Sequence, residues 1–147
     1  MKKHIAALLV GLFIASVSVS AYAYNLTPRE SAALVESSDW ILKQVFLHKK
    51  SGIQVQGQGV VIRVLSDDVV ADRHQRFILR LNSGQTLLIA HNIDIAPRLV
   101  GLKKGGVVIF YGQYEWHREG GVVHWTHHDP SREHINGWLK YENSTYR

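Results

Sequence analysis

From residue 53 onward, apolar and polar residues alternate with a period of two, and Gly, Asn, Ser and Asp interrupt the alternation at short intervals. That is the pattern of half-buried strands joined by turns. Residues 55–65 form a first strand, with Gly57 and Gly59 placed for a bend or bulge. These glycines are no nucleotide-binding fingerprint, because Ile62 stands where the third glycine would be. Ser66, Asp67 and Asp68 open a polar connection that reads as a solvated turn. Residues 74–81 form a second strand, with Phe77, Leu79 and Leu81 on one face and Arg76 and Arg80 on the other. The turn Asn82-Ser83-Gly84 leads to a third strand, 85–93. A fourth strand, 107–117, and a fifth, 122–128, flank the turn Arg118-Glu119-Gly120-Gly121. Residues 137–141 read as a short strand that turns back at Asn143-Ser144.

Before residue 53 the period is helical. Thr27, Pro28 and Glu30 make a capping box with proline in the first turn. Leu34, Ile41 and Val45, with Ala33, Leu42 and Phe46, recur at helical spacing, and Lys49, Lys50 and Gly52 end the run. Ser37, Ser38 and Asp39 could divide it into two helices, one of them re-capping the second. The segment is expected to pack as a lid on the sheet; a partner-binding helix is the alternative. Upstream, Lys2, Lys3 and His4 precede an apolar run over 5–19, and Ala21-Tyr22-Ala23 fits the small-x-small cleavage rule. This predicts a signal peptide over 1–23, cleaved after Ala23, and a periplasmic or secreted product. The apolar run is short for a membrane span of about 20 residues, and no later segment is apolar for long enough to cross a bilayer. The expected organisation is therefore signal peptide 1–23, helical segment 24–52, and a barrel domain with a C-terminal extension over 53–147.

Composition narrows the picture. Of 147 residues, the 124 left after the leader suffice for one domain with one core. With no cysteine there is no disulfide, so the core or a bound ion must hold the exported domain. Lys and Arg number 17 against 12 Asp and Glu, and 15 against 12 without Lys2 and Lys3, a mild bias toward anionic ligands. Eight of the nine histidines lie in the mature part, so charge rises as pH falls through the imidazole range.

The densest chemistry is His124-Trp125-Thr126-His127-His128-Asp129, closed by Pro130. In an extended strand His124, Thr126 and His128 share one face, and Trp125 and His127 the other. A short loop pairs Trp116 with Val123 and Tyr114 with Trp125 on an apolar face, and Glu115 with His124 and Gln113 with Thr126 on the polar one. A second polar corner follows the third strand at His91-Asn92-Ile93-Asp94. It is either structural, with Asp94 bridging Arg98 and Pro97 ending the strand, or functional.

Five strands with a glycine-bearing first strand and a basic Gly turn into a long fourth one predict a mainly β protein. The expected architecture is a small five-stranded antiparallel barrel, OB-like, with an N-terminal helix. The connection between strands three and four carries Pro97 and little helix, so the N-terminal helix is expected to cover the barrel end instead. Four blocks carry a family likeness: HQRFIL from His74, AHNIDIAPR from Ala90, FYGQYEW from Phe110 and VVHWTHHDP from Val122. Together they resemble the bacterial domain of unknown function 3465, a family of small exported proteins. The resemblance implies export and brings no established activity, so function must be argued from the site.

Three functions fit. The first is a metal-assisted hydrolase of a phosphodiester. His124, His127, His128, Asp129 and His134 are candidate ligands for one divalent ion, with zinc favoured. Glu115, His124 and His91 are the candidate catalytic residues, and Arg76, Arg80 and Arg98 would hold the anionic substrate. His127 and His128 point to opposite faces of a regular strand, so both ligate only if the strand ends or bulges near Pro130. The second is a non-catalytic module for single-stranded nucleic acid or another anionic polymer, with Trp116, Trp125 and Trp138 available for stacking. The third is a structural periplasmic protein whose histidines are bonded within a polar barrel end.

Overall fold

The computed structural model describes residues 26–147, so the expected signal peptide lies outside the described residues. Helix α1 spans Pro28–Leu47 and starts in the capping box, with Thr27 and Glu30 satisfying each other's amides. It does not divide at Ser37-Ser38-Asp39. The Ser37 hydroxyl donates back to the Leu34 carbonyl at 2.9 Å, and the buried Asp39 carboxylate accepts from the Ser83 amide at 2.8 Å. The polar residues that could have re-capped a second helix are thus used within the first, or to tie it to a turn of the sheet.

Seven strands follow: β1 Ile53–Val64, β2 His74–Arg80, β3 Thr86–Asn92, β4 Val107–Glu115, β5 Val122–His124, β6 Trp138–Tyr141 and β7 Ser144–Tyr146. The first five close into a barrel in the order β1-β2-β3-β5-β4, with β4 pairing back onto β1. Every pair in it is antiparallel except β3–β5, where Leu88 lies beside Val122 and Ile89 beside Val123 in parallel. The parallel pair follows from closure. Because β4 runs antiparallel to β1 and β5 antiparallel to β4, β5 must run with β3. The result is the OB-like plan.

β1 serves two neighbours. Residues from Ile53 to Val60 pair with β4, residues from Val60 to Val64 pair with β2, and the register slips between Val61 and Arg63. The bulge therefore sits at Ile62, not at the glycines. Gly57 and Gly59 serve close approach instead: a Cβ on Gly57 would stand 2.5 Å from Phe110 Cζ and 3.0 Å from Leu42 Cδ1. Through that gap α1 inserts the fully buried Leu42 and closes one end of the barrel, where Val55, Phe110 and Tyr114 complete the core. Trp116 Nε1 donates to the Phe46 carbonyl at 3.1 Å and fixes the end of the helix.

β6 continues the wall of β4 beyond β5, with Tyr111 opposite Trp138 and Val108 opposite Tyr141. β7 folds back on β6 as the sequence predicts. The corner after β3 differs from expectation. Asp94 accepts from Arg73 Nε at 2.6 Å and from the Arg73 amide at 2.7 Å, while Arg98 pairs with Asp67. Each charge finds its partner across the β1–β2 connection, which the topology brings to the same end of the barrel.

Leu42→Ala is expected to lower the unfolding free energy by about 2–5 kcal/mol, the usual cost of a cavity at a buried leucine. Ile41→Ala, on the exposed side of the same turn, should stay within about 0.5 kcal/mol of the parent. Urea midpoints at constant m-value read both.

Candidate binding site

The β4–β5 hairpin pairs Gln113 with His124, Tyr114 with Val123 and Glu115 with Val122. Expectation had Glu115 opposite His124, so the register is shifted by two residues and the loop spans 116–121. The reason lies at Gly121. Its φ is 114°, and a Cβ there would stand 2.1 Å from the Tyr114 ring, so the turn wraps the buried tyrosine before pairing begins. The Tyr114 hydroxyl donates to the Gly120 carbonyl at 3.1 Å. A shift of two keeps every side chain on its own face. Glu115 and His124 therefore still meet on the outside, with His124 Nε2 3.5 Å from Glu115 Oε1. Gln113 Nε2 donates to that same carboxylate oxygen at 2.7 Å. Burial works to raise the Glu115 carboxyl, but the Gln113 hydrogen bond, with Ser51 and His124 close by, outweighs it and holds it below the usual range.

The strand ends at His124, because Trp125 has a left-handed φ of 50°. The alternation expected over 124–128 is lost there. Thr126 and His127 are both buried, and His128 is exposed. Trp125 does not face Tyr114 in the core. Its ring lies between His124, at 4.7 Å and 27°, and His134, at 4.5 Å and 8°. His134 in turn meets His127 edge-on at 5.0 Å. Gly137 makes this stack possible: its amide donates to the His127 carbonyl at 2.8 Å, and a Cβ on it would stand 2.0 Å from the Trp125 carbonyl oxygen.

Asp129 organises the same loop. Its carboxylate accepts from the amides of Ser131 at 2.9 Å and His134 at 2.7 Å, and from that of Glu133. Burial works to raise this carboxyl, and the amides override it and hold it below the usual range. His91 is fully buried inside the barrel. Its Nε2 faces the Pro97 carbonyl at 3.0 Å and its Nδ1 the Thr126 hydroxyl at 2.8 Å. A carbonyl only accepts, so Nε2 carries the proton and Nδ1 accepts from Thr126. The neighbouring Gln75 is satisfied by both backbone groups of Leu99.

The expected site is thus partly assembled. Glu115 and His124 come together, and His124, His127 and His134 share one ring stack. His91 lies apart from them, closed to solvent. His128 points outward, and the Asp129 carboxylate is filled by amides. Among the described residues, no three His, Asp or Glu side chains stand close enough to hold a metal ion. The arginines do not converge either. Arg76 donates to the Ser66 carbonyl at 3.1 and 3.2 Å, Arg98 is paired with Asp67, and Arg80 lies exposed at the far end of β2.

What the residues alone did not reveal lies beside the stack. Tyr111 and Trp138, partners across β4 and β6, have ring centroids 5.9 Å apart at 30°. Lys140 Nζ stands 5.0 Å from the centre of the Trp138 ring. A cavity of about 550 Å³ opens here, lined by His128, Asn136, Gly137, Trp138 and Arg147. Trp138 and Lys140 are two apart on a strand, which puts them on one face; the pairing with Tyr111 is a long-range register that no local pattern encodes.

The buried imidazoles make stability depend on pH. Burial pushes His91 from its ordinary 6.5 down to about 4. Burial also lowers His124, against the pull of Glu115, and lowers His127, with the charges of His134 and His74 acting in the same direction. As pH falls below 6.5 the unfolded chain takes up protons that the folded chain refuses, so stability present above that pH is lost on the way down to about 4. His91 alone should remove about 3 kcal/mol between neutral pH and pH 4, at about 1.4 kcal/mol per pKa unit. Urea midpoints across that range should fall steeply in the parent and less steeply in His91→Gln.

The family model for a protein of unknown function, DUF3465, matches residues 26–147, which takes in every element described above. No curated protein matches the chain. The chain belongs to the DUF3465 family.

Proposed function

We propose that the protein is a non-catalytic, OB-like module that binds single-stranded nucleic acid, and that it works in the periplasm or outside the cell. The observation that carries the reading is the pairing of Trp138 with Tyr111 beside a cavity rimmed by His128 and Arg147, with Lys140 over the indole. Flat rings give bases a stacking surface, and cations at its edge meet the phosphates; together they form a sequence-tolerant single-strand platform. The mild basic balance of the chain acts in the same direction. Export is supported by the basic start, the apolar run and Ala21-Tyr22-Ala23. No helix among the described residues is long and apolar enough to cross a membrane. The product recovered after export is expected to begin at Tyr24, as intact mass would show.

One observation favours the metal-assisted hydrolase as a second reading. His127 and His134 each set Nδ1 against a backbone carbonyl, of His128 at 2.8 Å and of Ile135 at 2.9 Å. That arrangement leaves Nε2 as the free lone pair and is the usual support of a metal-bound imidazole. One equivalent of zinc, lost in His134→Ala and accompanied by turnover of a phosphodiester, would move the assignment to the enzyme.

A fluorescent dT oligomer of about 12 nucleotides, within the range one OB fold covers, tests the module by anisotropy. Affinity should fall with salt, and Trp138→Ala should weaken it by about 5- to 150-fold, the worth of one stacked base. Lys140→Ala and Arg147→Ala should each reduce the salt slope by about 0.7, the share of one phosphate contact on a single strand. Binding that ignores salt, or a folded Trp138→Ala variant that binds like the parent, overturns the proposal.

A further inference from the structure

The opposite wall of the barrel breaks the rule that an antiparallel sheet facing water shows polar residues outside. On the outer surface of β1, β2, β3 and β5, the half-buried Ile62, Ile78, Leu88 and Val122 lie side by side. The register sets the row: Arg63, next to Ile62, is opposite Ile78, Ile78 is opposite Leu88, and Leu88 lies beside Val122. Four strands about 4.8 Å apart make an apolar stripe about 14 Å long, running across the strands. It forms the floor of a cavity of about 690 Å³, a volume in the range of small-molecule pockets. α1 closes the end of the barrel and does not cover this wall.

The charges around the stripe are divided between its two ends. Arg63 lines the cavity at the β1 end of the stripe. Arg80 is exposed on the same face of β2, two residues from Ile78 and opposite Val60. Neither makes an ion pair among the described residues. At the β5 end the exposed Glu119 also lines the cavity, 3.7 Å from His117 Nδ1. The groove therefore runs from a cationic end to an acidic one, and an anionic head group belongs at the β1 end. No carboxylate is among the outward residues of β2, β3 or β5: His74, Arg76, Ile78 and Arg80; Thr86, Leu88, Ala90 and Asn92; Val122 and His124. A nucleic acid would find no indole or phenol ring to stack on among the lining residues.

We infer that this groove binds a single-chain anionic amphiphile, a fatty-acid-type carboxylate. Its chain lies along Ile78, Leu88 and Val122, and its head group meets Arg63 and Arg80. Carbon–carbon bonds of about 1.5 Å in a zigzag advance about 1.25 Å each, so the stripe takes a chain of about ten to twelve carbons. The site does not depend on the nucleic-acid reading, because it shares no side chain with the Tyr111–Trp138 face.

The experiment is calorimetric titration of the protein with dodecanoate below its micelle concentration, with dodecyltrimethylammonium as the cationic control. Dodecanoate should bind one to one and at least tenfold tighter than the cation. Each methylene removed should weaken binding by up to about fourfold. Ile78→Gln and Leu88→Gln, outward positions that the fold tolerates, should each cost tenfold or more. Arg63→Gln should erase most of the preference for the anion, and Trp138→Ala should change nothing. The inference is overturned by equal affinity for the two head groups, by folded Gln variants that bind like the parent, or by a parent dimer that Ile78→Gln converts to monomer. The last would make the stripe a contact between two copies of this chain. Binding to dodecanoate vesicles without binding to the monomer would also overturn it.

Discussion

β1 pairs with β4 over one half of its length and with β2 over the other, and the barrel exists because one strand can do both. The double pairing requires a strand that bends and that comes very close to what lies inside it. The bend is supplied by the bulge at Ile62. The close approach is supplied by Gly57, whose missing side chain leaves room for Phe110 and Leu42 at once. Any Cβ at that position would have to displace either the barrel filling or the helix that stops its end. Closure also dictates the parallel β3–β5 pair, so the one departure from an antiparallel barrel follows from the same constraint.

Closure divides the molecule chemically. The end stopped by α1 is built on the apolar Leu42, with the buried Asp39 held by the Ser83 amide at its edge. The other end is filled with paired polar groups. His91 is neutral between Thr126 and Pro97, and Gln75 is matched to both backbone groups of Leu99. Polar groups removed from water cost little when every donor and acceptor is met, and this end meets them with side chains from three separate segments. The loop over 125–137 sits on that plug. Asp129 holds it by accepting several amides, and Gly137 holds it by admitting the Trp125 carbonyl.

Much of the fold was legible because local rules set it. The capping box at Thr27, the period-two runs and the Gly-containing turns each have a physical cause within a few residues. What escaped was set by tertiary contacts. The hairpin register moved by two because the Tyr114 ring occupies the inside of the turn. The ion pairs at the β3 corner exchanged partners because Arg73 and Asp67, distant in the chain, arrive beside Asp94 and Arg98. The strand ended early because Trp125 takes a left-handed φ. A bulky residue rarely adopts that conformation, so no composition rule signals it; only the stack that rewards it explains it.

That stack changes what the histidine run means. A density of imidazoles in sequence suggests ligands or proton carriers, but an imidazole is also a small flat ring. Two of those here flank an indole within 5 Å, and a third closes the row edge-on. The row packs best when its members are neutral, and burial keeps His124 and His127 that way. Their backbone-directed Nδ1 bonds at His127 and His134 fix ring orientation, which is what a stack demands as much as what a metal would. The Asp129 carboxylate accepts the amides that hold the loop, and the chain has already left the strand at Trp125. Of the run only His128 turns outward; it lines one cavity with Trp138 and Arg147, and Lys140 lies over the Trp138 ring. Most of the conspicuous run therefore packs the loop over 125–137 against the barrel, and its geometry answers to packing as much as to any ligand.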